Sequence, residues 1–236
     1  MSIGLIIIAT GKAYVDYAEQ LIGSIAYYFE GAHPIVFTDQ PQVLGAVASV
    51  YHTMPLGYPQ QTLRRYHTIL EKEYILQKFD HLFYIDADML FVDYVKEEDI
   101  ISRGLTATLH PGFFKENTLG APEKREISTA CCSNNIAYYC GGFQGGTAKA
   151  YLDAANFMAS KIDVDTKNGV TAIWHDESHW NALLANRPPD RILSPSFCYP
   201  EDYDGGYGWS KEEYPAKLIA LDKRKRGNHP RYPNES

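Results

Sequence analysis

The densest candidate chemistry lies in Leu82-Phe83-Tyr84-Ile85-Asp86-Ala87-Asp88-Met89-Leu90-Phe91. Asp86 and Asp88 flank one small residue, Ala87, and strand alternation would turn both carboxylates the same way. Two hard oxygen ligands on one side suit Mg²⁺ or Mn²⁺, with other positions left for water and phosphate. The acids interrupt an apolar, β-rich run that reads as a buried central strand. Two carboxylates are costly inside such a strand. They belong at its carboxyl end, where open α/β sheets place ligands. Taken alone, the motif also reads as a strand followed by an Asx-rich turn.

Two other stretches carry unusual residues. Val170-Thr171-Ala172-Ile173-Trp174-His175-Asp176-Glu177-Ser178-His179-Trp180-Asn181 gathers two histidines, an aspartate and a glutamate within residues 175–179. An acidic first turn is ordinary helix capping, which accounts for Asp176 and Glu177 at a helix N-terminus. Capping does not account for the Trp-His before them. Ala137-Tyr138-Tyr139-Cys140-Gly141-Gly142-Phe143-Gln144-Gly145-Gly146 sets two glycine pairs inside an aromatic run. Glycine weakens a strand unless something approaches the backbone closely. A sugar or phosphate against bare backbone would explain the pairs, and so would two bulges. The spacing is not that of a dinucleotide fingerprint.

Single residues give weaker signals. Arg64 and Arg65 fall in the first turn of a helix, where cations oppose the dipole. Arg65 is either kept for an anionic partner or is a solvated surface arginine. Tyr14, after Thr10-Gly11-Lys12, could stack on a flat base or simply be buried at a helix start. His110 ends a strand at Leu109-His110-Pro111-Gly112. Lys223-Arg224-Lys225-Arg226 is a flexible basic tail that is either solvated or folded over phosphates.

Positioning these groups requires alternating strands and helices. Ile3 to Ala9 is a continuous apolar run, hence a buried parallel strand. Residues 17–29 place Ala18, Leu21, Ile22, Ile25 and Phe29 on one helical face. Residues 35–39 and 47–54 read as further strands. Residues 62–79 form the clearest helix, with Leu63, Tyr66, Ile69, Leu70, Tyr74 and Phe79 as its stripe and Thr62 as N-cap. Residues 105–112 form a strand, 113–135 an irregular loop or small hairpin, and 148–162 a second amphipathic helix. Short strands at 191–194 and 218–221 close the pattern. The βαβ opening predicts an α/β domain with right-handed crossovers and a mostly parallel sheet.

The 236 residues suffice for one large domain with a sizeable core, and no repeat or long linker divides them. A formal net charge of -7 argues against nucleic acid or an anionic membrane as a partner. Cys131, Cys132, Cys140 and Cys198 lack zinc-site spacing. They read as free thiols in a reducing compartment. The first apolar run is too short to span a bilayer and lacks a secretion signal's charged lead-in. A soluble, cytoplasmic protein is expected.

Taken together, these motifs resemble glycosyltransferase family 6, the family of the blood-group A and B transferases and α-1,3-galactosyltransferase. The resemblance runs from Val36-Phe37-Thr38-Asp39-Gln40-Pro41 to Lys223 and covers nearly the whole chain. It rests on four segments in family order: Tyr84 to Met89, Thr108 to Phe113, Tyr139 to Gly146, and Trp174 to His179. It implies a single GT-A domain over residues 1–236. A Rossmann-like nucleotide half, to about residue 100, would merge with an acceptor half.

The resemblance further implies retaining α-1,3 transfer of GalNAc or Gal from a UDP-sugar to a glycan with terminal galactose, fucosylated or not. Asp86 and Asp88 would hold Mn²⁺, or Mg²⁺, against the diphosphate. The donor site would also use Ala9, Thr10, Tyr14, Arg65, Ala87, Cys140, Gly141, Gly142, Asp176 and Lys223. His110, Trp174 and Glu201 would line the acceptor side. Glu177 matches the family's candidate nucleophile, the role a carboxylate plays in retaining glycosidases.

In the family, the Gly141 and Gly142 positions face the donor's C2 substituent. Gly-Gly accompanies GalNAc, whereas a methyl there competes with the acetamido group, so UDP-GalNAc is the expected donor. The chain is expected to do without the anchor and stem of the animal enzymes, as short bacterial-type members do. Many of those members have Asn-x-Asn and work without metal; both acids here imply metal dependence. Phe197-Cys198-Tyr199-Pro200-Glu201 replaces the blood-group enzymes' Trp-Asp segment, with Glu201 in the place of that Asp. The alternatives are a nucleotide-sugar hydrolase, with water as acceptor, and a sugar-binding module without turnover.

Overall fold

A computed structural model describes residues 1–44, 48–115, 120–132 and 137–226. Its centre is β1 (Ile3–Ala9), seven residues buried without exception. Apolar side chains on both faces of one strand need a layer on each side, and the chain supplies both. Ile6 and Ile8 join the core cluster that holds Tyr66, Ile69, Met158 and Trp180. Leu5 and Ile7 join the opposite cluster with Leu21, Ile25 and Phe143.

The elements alternate as the pattern requires. α1 (Lys12–Tyr28) buries Ala18, Leu21, Ile22 and Ile25, and Phe29 caps it. β2 (Ala32–Thr38) and β3 (Ser49–His52) follow. Residue 47, the start of the third expected strand, lies outside the described residues, as does part of the 113–135 segment. The expected helix at 62–79 is three short pieces: α2 (Gln60–Leu63), α3 (Arg65–Leu70) and α4 (Glu73–Leu76). Leu63, Tyr66 and Ile69 are buried as the stripe predicts, but Tyr74 is 60% exposed. The breaks at Arg64 and Lys72, where backbone angles leave the helical region, rotate Tyr74 off the stripe. Thr62 lies inside α2 and caps nothing.

β4 (His81–Asp86) and β5 (Met89–Phe91) straddle Ala87-Asp88. α5 (Glu97–Ile100), β6 (Leu105–Leu109), β7 (Tyr139–Thr147), α6 (Ala148–Lys167), α7 (His175–Asn186), β8 (Arg191–Leu193), β9 (Tyr199–Pro200) and β10 (Leu218–Ala220) complete the order. α6 starts where expected, with Thr147 Oγ1 accepting the Ala150 N–H, and runs five residues past 162.

The main sheet has the order β3-β2-β1-β4-β7-β6-β8. The pairs β3–β2, β2–β1, β1–β4 and β6–β8 are parallel; β7 is antiparallel to both neighbours. The sheet is therefore mixed, though mostly parallel. That reversal positions the site. β1, β2 and β4 end together, with Ile8 beside Asp86 and Ala9 beside Thr38. β7 begins at that edge, because Phe143 pairs with Ile85. Gly141 and Gly142 therefore lie next to the carboxylates.

The two glycine pairs of β7 do different work. A Cβ on Gly145 would lie 2.3 Å from the Leu82 carbonyl oxygen, so β4 itself excludes a side chain there. The register between β6 and β7 shifts where Ala107 pairs with Gln144 and Leu109 with Tyr139, so the surplus residues, Gly141 and Gly142 among them, bulge from β7. A second sheet, β5-β10-β9, carries the chain's end back across β5.

Candidate active site

Asp86 closes β4, and Asp88 follows in the turn to β5. Both line a cavity of about 310 Å³ together with Thr10, Tyr14, Ala87 and Lys223. A second cavity of about 180 Å³ is lined by Gly141, Gly142, Trp174, Asp176 and Glu177. Thr62, Arg65 and Asp86 line both, so the two chambers share a wall.

Arg65 is that wall's centre. Its side chain is buried at the start of α3, not solvated. The guanidinium donates to the Gly141 carbonyl at 2.7 Å and to Asp86 Oδ1 at 3.2 Å. Its Nε lies 2.9 Å from Asp176 Oδ2, and its plane sits 4.1 Å from the Tyr84 ring centroid. A buried cation is tolerated only with such compensation, and the planar fork of arginine suits several partners at once. Burial pushes the Asp176 carboxyl up to about 7, against the pull of Arg65.

The Tyr84 hydroxyl donates to Asp86 Oδ1 at 2.7 Å. Among the described residues, both hydrogen bonds to Asp86 fall on Oδ1, leaving Oδ2 beside Gly142. Asp88 is 8% exposed, and burial raises its pKa. Lys223 Nζ stands 2.6 Å from its Oδ2 and 5.9 Å from the Tyr14 ring centroid. No cluster of three or more His, Cys, Asp or Glu among the described residues could hold a metal ion. Two carboxylates facing one cavity, one with an uncommitted oxygen, do suit a hard divalent cation that takes its remaining oxygens from a diphosphate and water.

Glu177 sits in the first turn of α7, as expected. Tyr138 Oη donates to its Oε1 and the Gly141 N–H to its Oε2, each at 2.8 Å. Asn181, one turn along α7, docks the helix onto β7. Its side chain accepts from Tyr139 N and donates to Tyr139 O, both at 2.8 Å, as a neighbouring strand would. The loop before α7 is held by Glu123, whose Oε2 accepts the Ile173 N–H at 2.9 Å. Arg125 grips the same carboxylate through Nε and Nη2. These bonds hold the Glu123 pKa down, at about 2.

Other expected residues stand apart from the chambers. Ala9 and Cys140 are buried and line neither. His110 packs against the Tyr138 ring, and burial lowers its pKa to about 4, so it is neutral at pH 7. Glu201 is bound to Arg226 at 2.6 Å and accepts the Asp222 N–H at 2.7 Å. The basic run expected as a flexible tail is, at Lys223–Arg226, a 3-10 turn in which every cation has an acidic partner. Residues beyond 226 lie outside the described residues. Cys131, Cys140 and Cys198 are free thiols.

Sequence reasoning missed Tyr84, Glu123, Tyr138 and Asn181. Tyr84 shares a strand face with Asp86 by alternation, and Asn181 shares a helix face with Glu177 by i,i+4 spacing. Those two were findable. Glu123 reaches the site across a long chain separation and carried no local signal, whereas Tyr138 stands in the aromatic run beside Gly141 and Gly142 but nothing local marks Glu177 as its partner.

The α/β sheet thus carries acids at one strand end, a second acid pair on a facing helix and a buried arginine between them. The chain matches the profile of glycosyltransferase family 6 over residues 1–212 and belongs to that family, which implies the GT-A fold. It is 30% identical to rat histo-blood group ABO system transferase 1 over 94% of this chain and 67% of that protein. It is 27% identical to human globoside alpha-1,3-N-acetylgalactosaminyltransferase 1 over 85% of this chain and 62% of that one. The match to the Escherichia coli O-antigen biosynthesis glycosyltransferase WbnI is 25% identical and covers 95% and 96% of the two chains. The chain thus spans about two thirds of the animal relatives' length. Among the described residues no helix is long and apolar enough to cross a membrane.

Proposed function

We propose that this chain is a retaining α-1,3-glycosyltransferase that moves GalNAc, or Gal, from its UDP-sugar to a glycan ending in galactose. The observation that carries the reading is the shared wall: Asp86 and Arg65 belong to both chambers. One chamber offers two carboxylates, an aromatic face and an ammonium, which suit a uridine diphosphate. The other offers Asp176, Glu177 and bare glycine backbone, which suit a hexose.

Asp86 and Asp88 would hold Mn²⁺, which when bound supplies Lewis-acid neutralisation of the departing diphosphate. The chain's own groups do the rest. Tyr14 offers its ring to uracil, and Thr10 lines the same chamber. Lys223 contributes positive charge to the diphosphate as UDP leaves. Asp176, fixed by Arg65, accepts from sugar hydroxyls. Glu177 presents a carboxylate to the anomeric carbon, as nucleophile or as a stabiliser of developing positive charge. Trp174, 39% exposed at the second chamber's mouth, offers an apolar face to the acceptor. Acceptor roles for His110 and Glu201, which line neither chamber, rest on the family resemblance alone. With Gly142 bare, the second chamber has room for the acetamido group of GalNAc.

The test is a panel of galactoside acceptors assayed with UDP-GalNAc and UDP-Gal, with and without Mn²⁺. A lengthened glycan, formed faster from UDP-GalNAc and only with metal, is expected. UDP release that never lengthens a glycan would make the protein a nucleotide-sugar hydrolase instead.

A further inference from the structure

Tyr138 precedes β7 by one residue and is 4% exposed. It lines neither chamber, yet its hydroxyl supplies one of the two hydrogen bonds that hold Glu177. The other donor, the Gly141 N–H, lies three residues along the same segment. With one donor on each oxygen, the plane of the carboxylate is set by the entry to β7.

The tyrosine is itself immobilised. His110 and Phe113 pack edge-on against its ring, at 5.7 and 5.4 Å between centroids. Gly120 crosses the ring so closely that a Cβ there would lie 2.6 Å from Tyr138 Cβ. Burial disfavours the ionised form of Glu177, whereas the Tyr138 and Gly141 donors and nearby Arg65 favour it. Tyr138 holds its proton firmly, because burial and the Glu177 charge both raise its pKa. It is thus a permanent donor to that carboxylate.

We propose that Tyr138 is a positioning residue of the reaction centre. Its hydroxyl fixes the orientation and charge of Glu177, and its ring ties that carboxylate to His110 and Phe113 on the expected acceptor side. The inference rests on the transferase reading. No bond is made or broken at Tyr138 itself.

The test compares Tyr138→Phe, which keeps the ring and removes the donor, with wild type, Glu177→Gln and the double variant. Sugar transfer and donor hydrolysis are followed together, and UDP affinity is measured by calorimetry. Tyr138→Phe should lower kcat about tenfold or more, the scale of one lost hydrogen bond to a charged group. Donor KM and UDP affinity should stay within about twofold of wild type.

Because the effect passes through Glu177, the double variant should be no slower than Glu177→Gln alone. Incorporating 3-fluorotyrosine at position 138, which keeps the hydroxyl but makes it more acidic, should shift kcat only slightly, far less than Tyr138→Phe does. A Tyr138→Phe enzyme with wild-type kcat, losses that multiply in the double variant, or a fluorotyrosine enzyme as slow as Tyr138→Phe would each overturn the proposal. Should Tyr138→Phe not fold, a series of fluorotyrosines decides: kcat that tracks phenol acidity supports the role, and constant kcat overturns it. If wild type hydrolyses the donor without ever lengthening a glycan, the transferase reading fails, and the same cycle read on hydrolysis still decides the role of Tyr138.

Discussion

Lys223 Nζ lies 2.6 Å from Asp88 Oδ2, and the backbone N–H of Leu221 donates to the Asp88 carbonyl at 2.9 Å. The end of the described chain is therefore locked onto the second acid of the Asp-x-Asp turn. A cation already rests where the proposed diphosphate would lie, its ammonium 5.9 Å from the Tyr14 ring centroid.

The first prediction follows from that contact. Lys223→Met keeps an apolar stem but removes the ammonium, leaving Asp88 buried without its cation. Donor KM should rise about tenfold, the scale of one charge-assisted hydrogen bond. Steady-state kinetics with varied UDP-GalNAc checks it; an unchanged KM would show that Lys223 does not serve the donor.

Gly142 offers the second. A Cβ there would lie 3.0 Å from Asp86 Oδ2 and 3.3 Å from Met89 Sδ, so a methyl must push on one of the acids. Gly142→Ala should lower kcat/KM for UDP-GalNAc about tenfold, and for UDP-Gal by less, because steric differences of this size are worth about 1–3 kcal/mol. Competition between the two donors measures the ratio. Equal losses for both would assign the crowding to Asp86 alone.

Arg65 offers the third. Lysine cannot reproduce its contacts with Gly141, Asp86 and Asp176. Arg65→Lys should lower kcat about a hundredfold and also lower Tm, because buried Asp176 and half-buried Asp86 lose part of their compensation. Activity and thermal unfolding measured on one preparation test both halves of the claim.

Glu123 gives a prediction about pH. Its folded pKa, about 2, lies below the ordinary carboxylate value because Arg125 and two backbone N–H groups bind the ionised form. A lowered folded pKa stabilises above the unfolded value and is lost as pH falls through the folded one. Wild type should exceed Glu123→Gln by roughly 2 kcal/mol at pH 7, discounted for the half-exposed Arg125. The gap should close as pH falls from about 4.5 toward 2. Urea unfolding across that range reads the difference.

Strands were legible where burial on both faces left a continuous apolar run, as in Ile3 to Ala9. The carboxylates at the end of β4 were legible because acids cannot be afforded inside such a run. The helix at 62–79 misled, because its stripe persists across breaks at Arg64 and Lys72 that no glycine or proline announces. Gly145 and Gly146 raised the prospect of a ligand, yet close packing of β7 on β4 and on Gly104 excludes side chains from both. Gly141 and Gly142 have the same sequence signal and do face the site. Only the antiparallel pairing of β7 with β4 separates the two pairs, and pairing is a property of the whole sheet.

The most direct measurement is product analysis with UDP-GalNAc, a galactoside acceptor and Mn²⁺, using wild type and an Asp86→Ala, Asp88→Ala double variant shown by circular dichroism to be folded. Wild type should yield a glycan longer by one sugar, and the double variant none. A folded double variant that lengthens the glycan at the wild-type rate would contradict the account.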